Sequence, residues 1–229
     1  MLRAFAFDRL GVVVGDLYFK DPQPAKGQEG PEHGVRLELR VINRAEPKGT
    51  IYAAIPIEVA EPVWRVDLLE SVDGKPGSYD RTHHHPVFTG WNPNHRVFVR
   101  DLTSDPFGWL EAKLADLPEI LRQAGFPEDT ASPEDEAGLR DSAPEIVAAA
   151  KNLLGRVRAG ELGQPPADAD ADGIRSGWLL RPEAPAPAEG TVSGWCSQKR
   201  RPIPPGRGAQ RPRTRSAFSW KTLCMMSSP

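Results

Sequence analysis

Residues 35–41 have the sequence Val-Arg-Leu-Glu-Leu-Arg-Val, in which apolar and charged side chains alternate strictly. This period of two is typical of a β-strand with one buried face. The runs IYAAIPIEV at 51–59 and VWRVDLLESV at 63–72 alternate in a similar way. Turn-forming residues lie between and after these runs, which predicts that neighbouring strands pair antiparallel. Residues 11–19 and 96–100 are further strand candidates, so the pattern predicts an antiparallel meander of four or five strands.

Helical patterns follow the strands. Asp105 precedes Pro106, and an aspartate followed by a proline is a favoured start for a helix. Apolar residues then recur at helical spacing up to Leu121, but Pro118 interrupts this stripe. The pattern therefore predicts either a kinked helix or two short helices that end at Gly125.

A further helix is predicted after this region. Ser142 and Glu145 match the S-x-x-E capping box, and an apolar stripe continues from there to Gly160. The acidic stretch before it contains Ser132 and Pro133, after which a short helix is expected. Strands followed by two or three helices indicate an α+β domain.

Charge and composition divide the 229-residue chain into three segments. Residues 1–160 carry 19 basic and 25 acidic side chains and are predicted to form the α+β domain. Residues 161–195 are rich in proline, alanine and aspartate and are predicted to be a linker. Residues 196–229 carry eight basic and no acidic side chains and are predicted to be a disordered tail.

The basic tail has three interpretations. It is an inert solvated extension, a segment that binds nucleic acid through its positive charge, or the product of translation in an unintended reading frame. The last interpretation explains why cysteine, methionine, arginine and serine become frequent where acidic residues disappear. Composition alone does not decide between the three.

Several classes of protein are disfavoured by the sequence. No apolar run approaches the roughly 20 residues that span a bilayer, so no membrane association is expected. Asp8 and Arg9 interrupt the only stretch that would serve as a secretory signal, which favours a cytoplasmic location. Both cysteines lie beyond residue 195, and no P-loop, dinucleotide-binding or serine-hydrolase motif is present, so no cofactor is predicted.

A histidine cluster is the most informative motif. Four of the five histidines lie between residues 83 and 95. On a strand, His83 and His85 face one way and His84 the other. Two imidazoles on one face suit general acid–base chemistry without a metal, because one takes a proton while the other gives one. Cleavage of RNA needs such a pair, together with an arginine that stabilises the charged phosphorane.

The candidate site residues follow from this interpretation. The catalytic candidates are His83, His85 and Arg81, and the substrate-binding candidates are Trp91, His95 and Arg96. The same two imidazoles also suit Zn²⁺, Fe²⁺ or Mn²⁺, with a carboxylate completing the ligand set. Acidic residues near the histidines in sequence include Glu70, Asp80 and Asp101.

The segment RVDLLESVDGKPGSYDRTHHHPVF at 65–88 and the segment RVFVRDLTSDPFGWL at 96–110 resemble the TumE-like toxins of bacterial toxin–antitoxin modules. In that family a strand ending in acidic residues leads through a glycine turn into an H-R-H-type cluster, and this chain has H-H-H. The resemblance covers residues 35–125. It implies RNA cleavage by the histidines and Arg81, with RNA as substrate and an antitoxin as protein partner.

Three functions therefore remain open from the sequence. The first is a histidine-based RNA-cleaving enzyme. The second is a non-catalytic binding or accessory protein whose histidines are merely solvated. The third is a metal-dependent enzyme. The sequence does not define the oligomeric state.

Overall fold

The computed structural model describes residues 1–166 and 174–177, and it has the α+β architecture that the sequence predicts. An antiparallel sheet in the order β1-β2-β3-β4-β5 comes first, and the helices follow it in the chain. Its strands are β1 (Leu2–Ala6), β2 (Leu10–Lys20), β3 (Pro31–Arg44), β4 (Ile57–Ser71) and β5 (His83–His85). A separate small hairpin consists of β6 (Phe88–Thr89) and β7 (Asn92–Pro93), and a further strand, β8 (Ile174–Gly177), pairs antiparallel with β2.

The sheet has one apolar face, on which the helices pack. In the register of β3 and β4, Val35 lies opposite Leu68, Leu37 opposite Val66, and Leu39 opposite Trp64. All of these side chains are fully buried in one core together with apolar residues of the helices. The strict alternation at 35–41 therefore predicts the strand correctly, because one side of β3 faces the core and the other side carries the charged residues.

The helices are α1 (Arg100–Ser104), α2 (Pro106–Leu114), α3 (Leu117–Ala124) and α4 (Pro133–Arg158), with one 3-10 turn at Glu128–Thr130. Of the two alternatives predicted for this stripe, the structure has two short helices, α2 and α3; they are separated at residues 115–116, and Pro118 lies in the first turn of α3. The Asp105 side chain accepts a hydrogen bond from the backbone N–H of Gly108 at 3.0 Å, as expected for the cap of α2. Within the described residues no helix is both long enough and apolar enough to cross a membrane.

Gly125 ends α3 in the left-handed conformation, with φ at 75°. We expect Gly125→Ala to lower the free energy of unfolding by about 1 kcal/mol, because a β-carbon is strained in this conformation. Gly155→Ala is the matched control, since Gly155 lies in α4 with nothing within 4 Å of an added β-carbon. That variant is expected to raise the same free energy by about 0.5–1 kcal/mol. Urea denaturation of both variants measures the difference, and equal changes would contradict the prediction.

Two helical predictions need correction. Ser142 and Glu145 do not form a capping box, because both lie inside α4. The N-cap is Ser132, ten residues before Ser142, and its side chain and that of Asp135 form the capping box instead. The short helix expected after Ser132 is therefore the start of the long one.

Two strand predictions also need correction. Residues 51–56 are not part of a strand, and Ile51 is 90% exposed. The strand β4 starts only at Ile57, because β3 ends at Arg44 and Arg44 pairs with Ile57. Residues 96–100 form no strand either; Val97 makes an isolated bridge to His84, and Arg100 begins α1.

The segment predicted as a linker, 161–195, contains β8. The other described part of it, 161–166, has no regular secondary structure. The remainder of that segment and the predicted tail 196–229 lie outside the described residues.

Candidate metal centre

The face of the sheet opposite the helices carries a buried group of charged and imidazole side chains. The period of two that turns Leu37, Val66 and His84 toward the helices turns their neighbours to this other face. Two rows therefore run across β3, β4 and β5. The first row is Arg36, Asp67 and His83, and the second row is Glu38, Arg65 and His85. All six residues are less than 9% exposed.

Asp67 lies at the centre of this group. Arg36 donates two hydrogen bonds to its carboxylate, from Nε to Oδ1 at 2.6 Å and from one terminal nitrogen to Oδ2 at 3.0 Å. The Nε of Arg65 lies 3.1 Å from Oδ2. Burial by itself raises the pKa of the Asp67 carboxyl, but the guanidinium groups of Arg36 and Arg65, with a further contribution from His83, outweigh burial and hold that pKa well below its ordinary value. Asp67 is therefore ionised.

The backbone fixes the tautomers of His83 and His85. The Nδ1 of His83 lies 2.7 Å from the carbonyl oxygen of Arg81, and the Nδ1 of His85 lies 2.7 Å from that of Asn94. A carbonyl oxygen only accepts hydrogen bonds, so each Nδ1 carries a hydrogen and donates it. In a neutral imidazole of this tautomer the Nε2 atom carries the lone pair.

Three atoms that could each ligate a metal ion lie close together. The Nε2 atoms of His83 and His85 lie 3.1 Å apart, and the Oδ2 of Asp67 lies 3.4 Å from the first and 3.8 Å from the second. Burial, with a further contribution from the charge of Arg65, lowers the pKa of His85 to about 3, so this imidazole is neutral at pH 7. Donor atoms this close repel each other unless a proton or a metal ion lies between them.

The distances match one coordination sphere. Ligand atoms about 2.0–2.1 Å from one ion are separated by roughly 3.0 Å at a right angle and by about 3.3 Å at the tetrahedral angle. The three separations, 3.1, 3.4 and 3.8 Å, correspond to angles from about 90° upward. Asp67, His83 and His85 are thus able to hold a single cation together, and all three are buried.

A cavity of about 320 Å³ opens onto these three residues. Three arginines, Arg36, Arg65 and Arg96, also line this cavity. Its apolar lining includes Phe19 and Leu69. The other lining residues are Asp21, Pro93, Asn94 and His95. The site is therefore a small concave pocket whose walls carry three arginines.

The structure brings some of the predicted site residues together and leaves others apart. His83 and His85 come together, and His95 and Arg96 line the cavity. Arg96 is engaged there by Glu32, at 2.7 Å. The prediction that His84 faces the other way is confirmed, since its ring packs against Trp109 on the helix side.

Arg81 and Trp91 lie outside the cavity lining. The guanidinium of Arg81 donates to the carbonyl oxygens of Gly27 and Glu29, at 3.0 and 3.1 Å, and so ties the 21–30 loop to the sheet. Trp91 is 63% exposed, with the guanidinium of Arg40 4.8 Å above its ring. Catalysis by Arg81 and substrate binding by Trp91 remain predictions.

The carboxylate that lies beside His83 and His85 belongs to Asp67, which is not one of the acids named above as near the histidines in sequence. Asp80 is bound by Ser71 and Ser78, Glu70 pairs with Arg158, and Asp101 is exposed on α1. None of these three acids belongs to the group with the two histidines; the carboxylate in that group is Asp67. The signal that identifies Asp67 is the alternation in β4, which puts it on the face away from Trp64 and level with His83.

Comparisons of the chain with protein-family models, with curated proteins and with solved structures find no match. Any statement about function therefore rests on the chemistry of the site. That chemistry is defined by two imidazoles and one ionised carboxylate, which line a cavity together with three arginines.

Proposed function

We propose that the protein is a metal-dependent enzyme that holds one divalent transition-metal ion on the Oδ2 of Asp67 and the Nε2 atoms of His83 and His85. The observation that carries the proposal is the convergence of these three donors within 3.8 Å, with both Nδ1 atoms bonded to backbone carbonyls. Metal-ligating histidines usually donate their second ring nitrogen in this way, because the hydrogen bond fixes the tautomer and orients the ring.

The donor set narrows the choice of metal. Imidazole nitrogen with a single carboxylate suits Zn²⁺, Fe²⁺ or Mn²⁺ better than Ca²⁺ or Mg²⁺, which prefer oxygen ligands. Three protein ligands leave further positions for water or substrate, as in catalytic sites. The cavity supplies the space for such ligands. An ion here acts as a Lewis acid, or lowers the pKa of a bound water so that it becomes a nucleophile near neutral pH.

Metal binding is the first test. We expect protein stripped with a chelator and titrated with Co²⁺ to bind one equivalent, seen as a visible absorption band. His83→Ala and His85→Ala each remove one ligand and are expected to weaken this binding at least 100-fold. His95→Ala is the matched control, because His95 is exposed and outside the ligand set. Equal Co²⁺ affinity in wild type and His85→Ala would overturn the proposal.

Metal-free RNA cleavage, which the family resemblance implies, is tested by the same variants. An acid and a base in that reaction stand on different sides of the reacting phosphate, whereas the two Nε2 atoms here are 3.1 Å apart. This distance favours a shared ion over a shared phosphate. RNA cleavage by wild type that persists with excess chelator and disappears in His85→Ala would support the metal-free enzyme and contradict the metal-dependent one.

A further inference from the structure

A water molecule bound to the proposed ion needs a base to take its proton. Such a water becomes a nucleophile only after it has lost a proton, so each cycle releases one proton beside the ion. His83 and His85 do not take it up, because their Nε2 atoms are the ligands and their Nδ1 hydrogens are donated to backbone carbonyls. Asp67 is also a ligand and contacts two guanidinium groups. The base must therefore lie outside the ligand set.

The other residues that line the cavity narrow the choice of this base. An arginine side chain stays protonated in proteins, which excludes Arg36, Arg65 and Arg96 as proton acceptors. Among the described residues of the lining, Asp21 and His95 are the other side chains that take up a proton. A carboxylate is a much weaker base than an imidazole, and Asp21 lies 3.7 Å from the guanidinium of Arg96. His95 is therefore the best base on the cavity wall.

Resting on the proposed metal centre, we propose that His95 is the proton relay of the site, taking the proton of the metal-bound water and passing it to the solvent. One O–H bond of the bound water breaks, and hydroxide stays on the metal. The proton moves through water in the cavity to the ring nitrogen of His95 that carries a lone pair. The imidazolium then gives a proton to bulk water, which restores the neutral ring. An imidazole suits both transfers near neutral pH.

The chain on both sides of His95 holds this residue at the cavity. The carbonyl oxygen of the preceding residue, Asn94, accepts a hydrogen bond from the Nδ1 of His85 at 2.7 Å. The guanidinium of the following residue, Arg96, donates a hydrogen bond to Glu32 at 2.7 Å. His95 therefore lies between two anchored neighbours, and one of them is bonded directly to a metal ligand.

His95 also connects the cavity with the solvent. The ligands Asp67, His83 and His85 are 1%, 1% and 4% exposed, whereas His95 is exposed and lines the same cavity. A water molecule takes up about 30 Å³ in the liquid, so the cavity of about 320 Å³ holds on the order of ten. A short chain of water molecules is therefore enough to carry a proton from the ion to His95.

The experiment compares wild type and His95→Ala, both loaded with Co²⁺. The visible absorption of Co²⁺ shows whether the bound solvent molecule is water or hydroxide, and a temperature jump in dilute buffer measures how fast these two forms interconvert. We expect this relaxation to be at least tenfold slower in His95→Ala. It should recover when the concentration of HEPES, a buffer base that binds metal ions weakly, is raised. His33→Ala is the matched control, because His33 lies on β3 and is not among the lining residues.

Equilibrium measurements distinguish a relay from a structural role. A relay changes only the rate, so the Co²⁺ affinity and the pH at which half of the bound water is ionised should be the same in wild type and His95→Ala. A change in either value, or a slow relaxation that HEPES does not restore, overturns the relay.

The remaining outcomes separate the relay from the metal centre. Equal relaxation rates in wild type and His95→Ala overturn the relay and leave the metal centre intact. A Co²⁺ absorption that stays constant between about pH 6 and pH 10 has the same meaning, because no bound water then loses a proton. If wild type binds no Co²⁺, the proposed function itself fails, and the relay fails with it.

Discussion

We expect Arg36→Ala to lower the free energy of unfolding by about 3–5 kcal/mol, the cost typical of removing one partner from a buried ion pair. Arg36 and Asp67 are 5% and 1% exposed, and Arg36 supplies both hydrogen bonds of the bidentate pair. Without it, the carboxylate stays buried with the Nε of Arg65 3.1 Å from its Oδ2. Urea denaturation in the presence of a chelator measures the loss free of any contribution from metal binding.

Two further variants separate charge from packing. Arg36→Met retains most of the buried hydrocarbon, so at least half of the loss should persist if it comes from the lost ion pair and its two hydrogen bonds rather than from packing. Arg122→Ala removes an equally bidentate partner of Glu119, but Arg122 has a side chain that is 73% exposed. A surface pair of this kind contributes little to stability, because solvent screens it. If Arg36→Ala lowered the free energy of unfolding no more than Arg122→Ala does, the buried Arg36–Asp67 pair would not contribute more to stability than a surface pair, which would contradict the prediction.

The strands show where sequence periodicity is sufficient and where it is not. Alternation at 35–41 predicts a half-buried strand correctly, because those residues have strands on both sides and helices below. The run at 51–59 also alternates, but β3 ends at Arg44, so residues 45–56 lie beyond the last pair of the hairpin. Alternation is a local property, whereas a strand needs a partner, and the partner is decided elsewhere in the chain.

The candidate metal centre likewise combines a feature that the sequence predicts with one that it does not. The strand period of two groups His83 with His85 from sequence alone. Asp67 joins them only through the register of β4 and β5, which are separated by an irregular connection of 11 residues, 72–82. The register across such a connection is not encoded in any local pattern, so distance along the chain does not indicate which acid lies beside the histidines.

The start of α4 was mispredicted for a related reason. Ser132 with Asp135 and Ser142 with Glu145 both have the spacing of a capping box. The first pair is the one used, and its aspartate is also bound by a distant part of the chain. A tertiary contact therefore decides between two sequence signals of similar strength.

The contact between Asp135 and the distant residues 8–10 is the basis of the second prediction with a large expected loss of stability. Asp135 is fully buried, and its Oδ1 accepts hydrogen bonds from the backbone N–H groups of Asp8, Arg9 and Leu10 at 3.0, 2.9 and 3.0 Å. Its Oδ2 accepts two more from Ser132. The carboxylate thus joins the start of α4 to the turn between β1 and β2. We expect Asp135→Asn to lower the free energy of unfolding by about 3 kcal/mol. Both carboxylate oxygens accept hydrogen bonds, so either orientation of the asparagine amide places its NH2 group, which only donates, against another donor.

The pH dependence of this effect identifies its electrostatic origin. Burial raises the pKa of Asp135, but the N–H groups of Ser132, Arg9 and Leu10 outweigh burial and lower it. A carboxyl whose pKa is lower in the folded state stabilises fully above its unfolded pKa of about 3.9 and loses this stabilisation as the pH falls toward the folded value. The difference between wild type and Asp135→Asn should therefore be constant above about pH 5 and shrink below about pH 4.

The control for this prediction is another capping aspartate. Asp116 also caps a helix, but it is exposed and accepts one hydrogen bond, from Glu119 at 3.3 Å. Asp116→Asn should cost less than about 1 kcal/mol, as an ordinary surface cap does. Urea denaturation of both variants between pH 3 and pH 7 provides the comparison. Equal losses would mean that Asp135 acts only as a cap. A loss in Asp135→Asn that is several times larger and declines in acid instead requires the contact with β1 and β2, since α4 alone would give the same cap in both variants.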